Sequence, residues 1–152
     1  MSFTTAEARR ELMEGFAEAI EDIGAALTAL GDAYEQLDEH TADRLEATLF
    51  GPVQRAYGQA KSTYTAFAAR HGLAKATFAQ AAGGAPSRGA GGFIEDAVES
   101  AARADAALSE LQDSHSFAEV GDVELRSGIT GVRQLLAQVP PRARELQRTL
   151  GR

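Results

Sequence analysis

Apolar residues recur at helical intervals along the first third of this chain. Leu12, Phe16, Ile20, Ile23, Leu27, Leu30, Tyr34 and Leu37 are separated by steps of 4, 4, 3, 4, 3, 4 and 3. From Phe16 onward this is a heptad-like seam, the pattern of a long helix lying along another helix. Upstream, Thr4 and Glu7 have the spacing of a capping box, in which each side chain satisfies a free backbone N–H at the helix start. A second run, Leu45, Leu49, Val53, Tyr57, Ala60, Tyr64 and Phe67, continues the pattern and extends toward Phe78. Between the runs lies Asp38-Glu39-His40-Thr41, where Thr41 can cap a new helix with Asp43 and Glu46 in its first turns. Gly51-Pro52 offers a rival break, because proline lacks the donor N–H and clashes with the preceding turn. A turn near residues 39–42 with a kink at Pro52 gives helices of comparable length. A break at Gly51 leaves a first helix of about 45 residues, long for a globular chain.

Residues 83–92, with five Gly and one Pro, read as a loop. Helical spacing returns at Phe93, Ile94, Ala97, Val98, Ala101, Leu108 and Leu111. A softer break covers residues 115–122, where Ser116 and Glu119 have capping-box spacing and Gly121-Asp122 marks a stop and restart. Val123, Ile129, Val132, Leu135, Leu136 and Val139 form a last helix, which Pro140-Pro141 kinks or restarts before Leu146 and Leu150. No run of alternating β-branched residues occurs. The pattern predicts an all-α chain forming one domain over residues 1–152. Its architecture is expected to be an antiparallel bundle of three long helices with coiled-coil-like packing, the third broken so that four can be counted.

Composition sharpens this. There are 31 Ala and 15 Gly, while aromatic residues make up only 7%, which favours closely packed helices with thin seams. Limited core per monomer makes a homodimer the expected state. Without Cys there are no disulfides, thiolate nucleophiles or cysteine metal sites. Thirteen Arg against two Lys, with no Asn, indicate a GC-rich, bacterial coding background. The N-terminus lacks the basic start and apolar run of a secretory signal, and no stretch approaches the ~20 apolar residues of a membrane span. A location in the cytoplasm, free or peripheral to the membrane, is therefore expected.

The net charge of −7 argues against nucleic acid as a partner, but the charges come in blocks. Residues 1–50 carry −9, residues 51–92 carry +5, residues 93–125 carry −8 and residues 126–152 carry +5. In one reading, Arg55, Lys61, Arg70, Lys75 and Arg88 form a basic surface for an anionic membrane or protein partner. In the other, acidic and basic segments lie side by side and select each other's register.

The chain offers little catalytic chemistry. Ferritin-like di-iron bundles need Glu-x-x-His on two helices, and the residues three before His40, His71 and His115 are Leu37, Ala68 and Gln112. A carboxylate metal site using Glu18, Asp22, Glu35 and Glu39 is the alternative of a different class. Gly84 and Gly89 have phosphate-loop spacing, yet Ala90 and Gly91 replace its Lys and hydroxyl. Ser114 and Ser116 flank His115 without a nucleophile elbow. Tyr57, Tyr64 and Phe67 are spaced for core packing, and His71 extends that seam as a partly buried or helix-end residue. No catalytic residue, cofactor or resident metal is expected.

Residues 30–54 contain Leu-Gly-Asp-Ala-Tyr-Glu-Gln-Leu, then a charged turn-like stretch, then Leu49-Phe50-Gly51-Pro52-Val53-Gln54. This resembles the BAR-domain pattern of the endophilin and amphiphysin type over about residues 12–80. The resemblance implies long kinked helices pairing into a crescent dimer whose basic face binds curved anionic membrane. It also implies a glycine-rich loop at the tip between the second and third helices. The function expected is that of a non-catalytic scaffold or assembly protein with BAR-like membrane association. A soluble protein–protein adaptor is the alternative.

Overall fold

The first helix, α1 (Thr5–Glu35), starts where the capping spacing placed it: the Thr4 hydroxyl accepts the Glu7 N–H at 3.1 Å. This computed structural model describes residues 4–79 and 88–150. α1 buries Leu12, Phe16, Ile20, Ile23, Leu27 and Leu30, its sequence seam, together with Met13, five alanines and Gly24 between them and beside them. Tyr34 and Leu37 fall outside that buried set. Residues 36–38 make the turn, and α2 (Glu39–Leu45) begins under an Asp38 cap. Asp38, not Thr41, is the capping residue; its carboxylate accepts both the Thr41 N–H (2.9 Å) and the Thr41 hydroxyl (3.1 Å). Those bonds, the backbone one foremost, hold the Asp38 carboxyl below its ordinary range.

Pro52 does not end a helix. α2 runs through a π-helical turn (Glu46–Phe50) directly into α3 (Gly51–His71). Proline has no N–H for the carbonyl four residues back, and the Gly51 N–H instead reaches Glu46 O. The Thr48 carbonyl so released accepts Arg142 Nη1 at 3.2 Å. The kink expected at Pro52 is thus a π-turn with its freed acceptor satisfied from the C-terminal helix.

α3 stops at His71 rather than reaching Phe78. Gly72 adopts the left-handed conformation (φ 62°), and the Leu73 N–H closes the end onto Ala68 O at 2.9 Å. Of the expected glycine-rich loop, residues 83–87 lie outside the described residues. Residues 90–92 are already helical, in α4 (Ala90–Gln112), with Gly89 at its N-cap. The broken last third resolves into α5 (His115–Val120), α6 (Val123–Leu136) and α7 (Val139–Leu150). Ser114 caps α5 and Asp122 caps α6, so Ser116 is a buried inner residue and not the cap its spacing suggested. The two prolines sit in the first turn of α7, where their missing N–H groups cost nothing.

All described elements are helical, and they pack on one another around one apolar cluster. Running senses follow from residue pairs. Gly15 lies against Leu111 while Asp22 pairs with Arg103, so α4 recedes as α1 advances. Gly24 meets Tyr57 and Phe16 meets Tyr64, so α3 also opposes α1. α3 and α4 therefore run the same way, unlike two arms of a hairpin. The chain after Gly72 turns back along the molecule: Leu73 and Ala76 lie near Met13 and Tyr64, and Thr77 to Ala79 near Gly24 and Tyr57.

α3 and α6 approach through glycine. A Cβ on Gly128 would overlap the Thr63 side chain, including Thr63 Cβ at 3.0 Å, an atom fixed to its backbone. Gly128→Ala should therefore lower stability by about 1–3 kcal/mol despite alanine's better helix propensity. Gly58, with nothing within 4 Å of its would-be Cβ, should gain up to about 1 kcal/mol on the same change. Paired urea denaturations of the two variants check the opposite signs.

Candidate functional site

The five basic residues singled out from the sequence are dispersed. Arg55, Lys61 and Arg70 lie on α3, Lys75 follows in the returning segment, and Arg88 precedes α4. Arg70 is engaged in a fork with Asp122, Nε and Nη2 each 2.9 Å from a carboxylate oxygen. Arg88 Nη2 donates to Gly92 O and to Asp96, at 2.9 and 3.1 Å. The Lys61 ammonium sits 4.1 Å from the Tyr57 ring centroid. Arg55 and Lys75 are exposed. Because α3 and α4 run the same way, Arg70 at the end of one and Arg88 at the start of the other lie toward opposite ends. The five thus come from α3, the segment after it and the approach to α4.

It does collect carboxylates. α1 makes its most extensive contact with α4, and α3 its most extensive contact with α6. α1 and α4 together hold 13 acidic and 3 basic residues, whereas α3 and α6 hold five basic and one acidic. Like-charged segments thus share the largest interfaces, while acidic and basic segments lie side by side in smaller ones, α1 on α3 and α4 on α6 and α7. Besides the Arg70 and Arg88 pairs, opposite charges meet at Arg133 with Asp105 (2.8 Å) and at Arg103 with Asp22 (3.7 Å). Both bridges are partly solvated, so each contributes roughly 0–1 kcal/mol.

The acid-rich pair presents Glu7, Glu11, Glu14, Glu18, Glu21, Glu95, Glu99 and Glu110 as exposed residues. Three of these, Glu11, Glu18 and Glu110, line a cleft of about 220 Å³ where α1, α4 and α5 meet. Its apolar lining comes from Gly15, Ala107 and Leu111; a Cβ on Gly15 would lie 2.9 Å from Leu111 Cδ1. Ser114 and Ser116 complete the lining. Ser114 Oγ is committed, donating to Leu111 O and capping Phe117. Ser116 is 1% exposed and its Oγ has no hydrogen-bond partner. A buried hydroxyl without a partner carries a desolvation penalty; the polar groups the cleft opens to solvent are its three carboxylates. Such a set can accept hydrogen bonds from an ammonium or guanidinium group.

No group of three or more His, Asp or Glu among the described residues is placed to hold a metal ion. Of the four carboxylates considered for one, Asp22 pairs with Arg103, Glu18 lines the acidic cleft, Glu35 lines a groove with Tyr34 and Phe50, and Glu39 opens α2. His71 is the last residue of α3, its ring 4.5 Å from that of Phe67 and its Nε2 3.0 Å from Asp122. Asp122 was legible only as a restart signal. Burial raises its pKa, but the Arg70 fork, the Leu125 N–H and the His71 contact outweigh that and bring it to about 2. This cluster fastens the end of α3 to the start of α6.

No helix among the described residues is long and apolar enough to cross a membrane. Comparison with known protein families, curated proteins and solved structures finds no match for this chain.

Proposed function

We infer that this chain is a non-catalytic helical assembly protein, an adaptor whose α1–α4 face docks a basic segment of a protein partner. The finer architecture in this reading is an antiparallel bundle with coiled-coil-like seams, whose legs are α1, the α2–α3 pair, α4 and the broken α5–α7 stretch. The observation that carries the reading is the juxtaposition of two acidic helices along their largest mutual contact. Such an arrangement is electrostatically unfavourable within the monomer, and a cationic partner relieves it. The BAR-like form needs a free basic face, and two of its five candidate side chains, Arg70 and Arg88, are spent on aspartates of the same chain.

Calorimetric titration with a decalysine peptide tests the proposal beside co-sedimentation with phosphatidylserine vesicles. Saturable peptide binding is expected at low salt, weakened at least about tenfold by high salt and by Glu11→Gln/Glu18→Gln/Glu110→Gln. Vesicle binding without peptide binding would transfer the function to the basic side chains and the membrane. Absence of both would remove the docking face altogether. Sedimentation equilibrium on the same samples reads whether the expected homodimer forms.

A further inference from the structure

A second cleft, of about 300 Å³, opens between the first turns of α1 and the chain that follows α3. Ala6, Arg9, Met13 and Ala17 recur at intervals of three and four, so they share one side of α1. Tyr64 faces them from α3, with Leu73 and Ala76 beyond the left-handed turn at Gly72. That far wall is pinned, because the Ala76 N–H donates to the Tyr64 hydroxyl at 3.0 Å. The lining is apolar apart from Arg9, Arg10, Glu14 and the tyrosine hydroxyl, and the three charged side chains leave one net positive charge.

Arg9 is the informative member. Its Nε is withdrawn from solvent and has no hydrogen-bond partner, an unfavourable state for an N–H of a permanently charged group. Guanidinium recognises carboxylate through a bidentate fork, and with Nε enclosed the edge of Arg9 that a ligand can meet is the one carrying its two Nη atoms. We propose that this cleft is a binding site for a small amphipathic carboxylate, whose carboxylate meets Arg9 and whose hydrocarbon body lies between Met13, Tyr64 and Leu73. A cleft of this volume, largely apolar with a few charged groups in its lining, is at the small end of ligand sites. The proposal is independent of the acidic docking face, which lies at Glu11, Glu18 and Glu110.

The test is titration of the full chain with octanoate, octanol and octylamine. Octanoate should bind saturably, octanol at least about tenfold more weakly for want of the charged fork, and octylamine not at all. Arg9→Leu should bring octanoate down to the octanol level while leaving the circular dichroism melting curve in place. Ala74→Trp, placing bulk at an exposed position of the lining, should weaken octanoate and octanol alike. Equal binding of octanoate and octanol, full affinity in Arg9→Leu, undiminished binding in Ala74→Trp, or no saturable binding of octanoate would each overturn the proposal.

Discussion

Leu108→Ala is expected to destabilise the protein by about 2–5 kcal/mol, the range for emptying a fully buried leucine site. Leu108 is 0% exposed on α4 and belongs to the apolar cluster that holds α4 to α1. Charge does not hold these helices together, since both carry an excess of carboxylates on their exposed sides. Glu18→Gln, which removes one exposed carboxylate from the same pair, should leave stability unchanged or raise it by a few tenths of a kcal/mol. Added salt should raise the melting temperature of the wild-type chain modestly by screening that repulsion. Chemical denaturation of the two variants, with thermal melts across a salt series, reads all three outcomes. A strongly destabilised Glu18→Gln, or melting that falls with salt, would mean that ion pairs rather than the leucine seam dominate the interface.

Asp122→Ala is expected to cost about 2–3 kcal/mol, since one residue performs two tasks. Its carboxylate caps α6 through the Leu125 N–H at 2.7 Å and receives the Arg70 fork and the His71 contact. Loss of a cap costs typically ~1 kcal/mol, and the partly solvated fork adds a charge-assisted pair. The carboxyl is held at about 2 against an ordinary 3.8. A depressed acid stabilises the fold fully above its unfolded pKa, and that stabilisation, up to about 2 kcal/mol, is lost as pH falls from about 4 through 2. Asp122→Asn keeps a competent cap but removes this titration. Acid denaturation between pH 4 and 2 should therefore be shallower in Asp122→Asn than in the wild-type chain. Indistinguishable acid profiles would mean that the cluster does not contribute to folding stability.

Much of the local structure was readable from residue order. The α1 seam from Leu12 to Leu30, the turn shortly after it, the distortion at Pro52 and the interruption before α6 follow from periodicity, capping chemistry and proline's missing donor. Elsewhere two local signals compete. Thr41 has the chemistry of a cap with acids in the turns after it, yet Asp38 caps and Thr41 is its donor. Phe78 had the right spacing to extend α3, but Gly72 turned the chain first, and Phe78 now meets Tyr64 edge-on from outside the helix at 5.2 Å. Ser116 had capping spacing with Glu119, yet Ser114 took the cap and left Ser116 buried.

The candidate sites were much less legible. Nothing in the spacing of Arg9 separates it from Arg10, which lines the same cleft; only the chain returning after Gly72 makes a wall opposite Arg9. The same holds for Glu11, Glu18 and Glu110, one from another helix and 92 positions beyond Glu18, joined by a contact that sequence does not specify.

Residue order alone settled that the chain is helical, where α1 and α6 begin, and that its charges fall into alternating blocks, because these depend on interactions within a few residues. Which block lies beside which was decided by tertiary packing. Burial of seams such as Ile20 and Leu108 contributes far more than partly solvated ion pairs, so acidic α1 settles against acidic α4. The same packing sets α3 and α4 running in one direction, sends the chain back past Tyr64, and so creates the cleft beside Arg9.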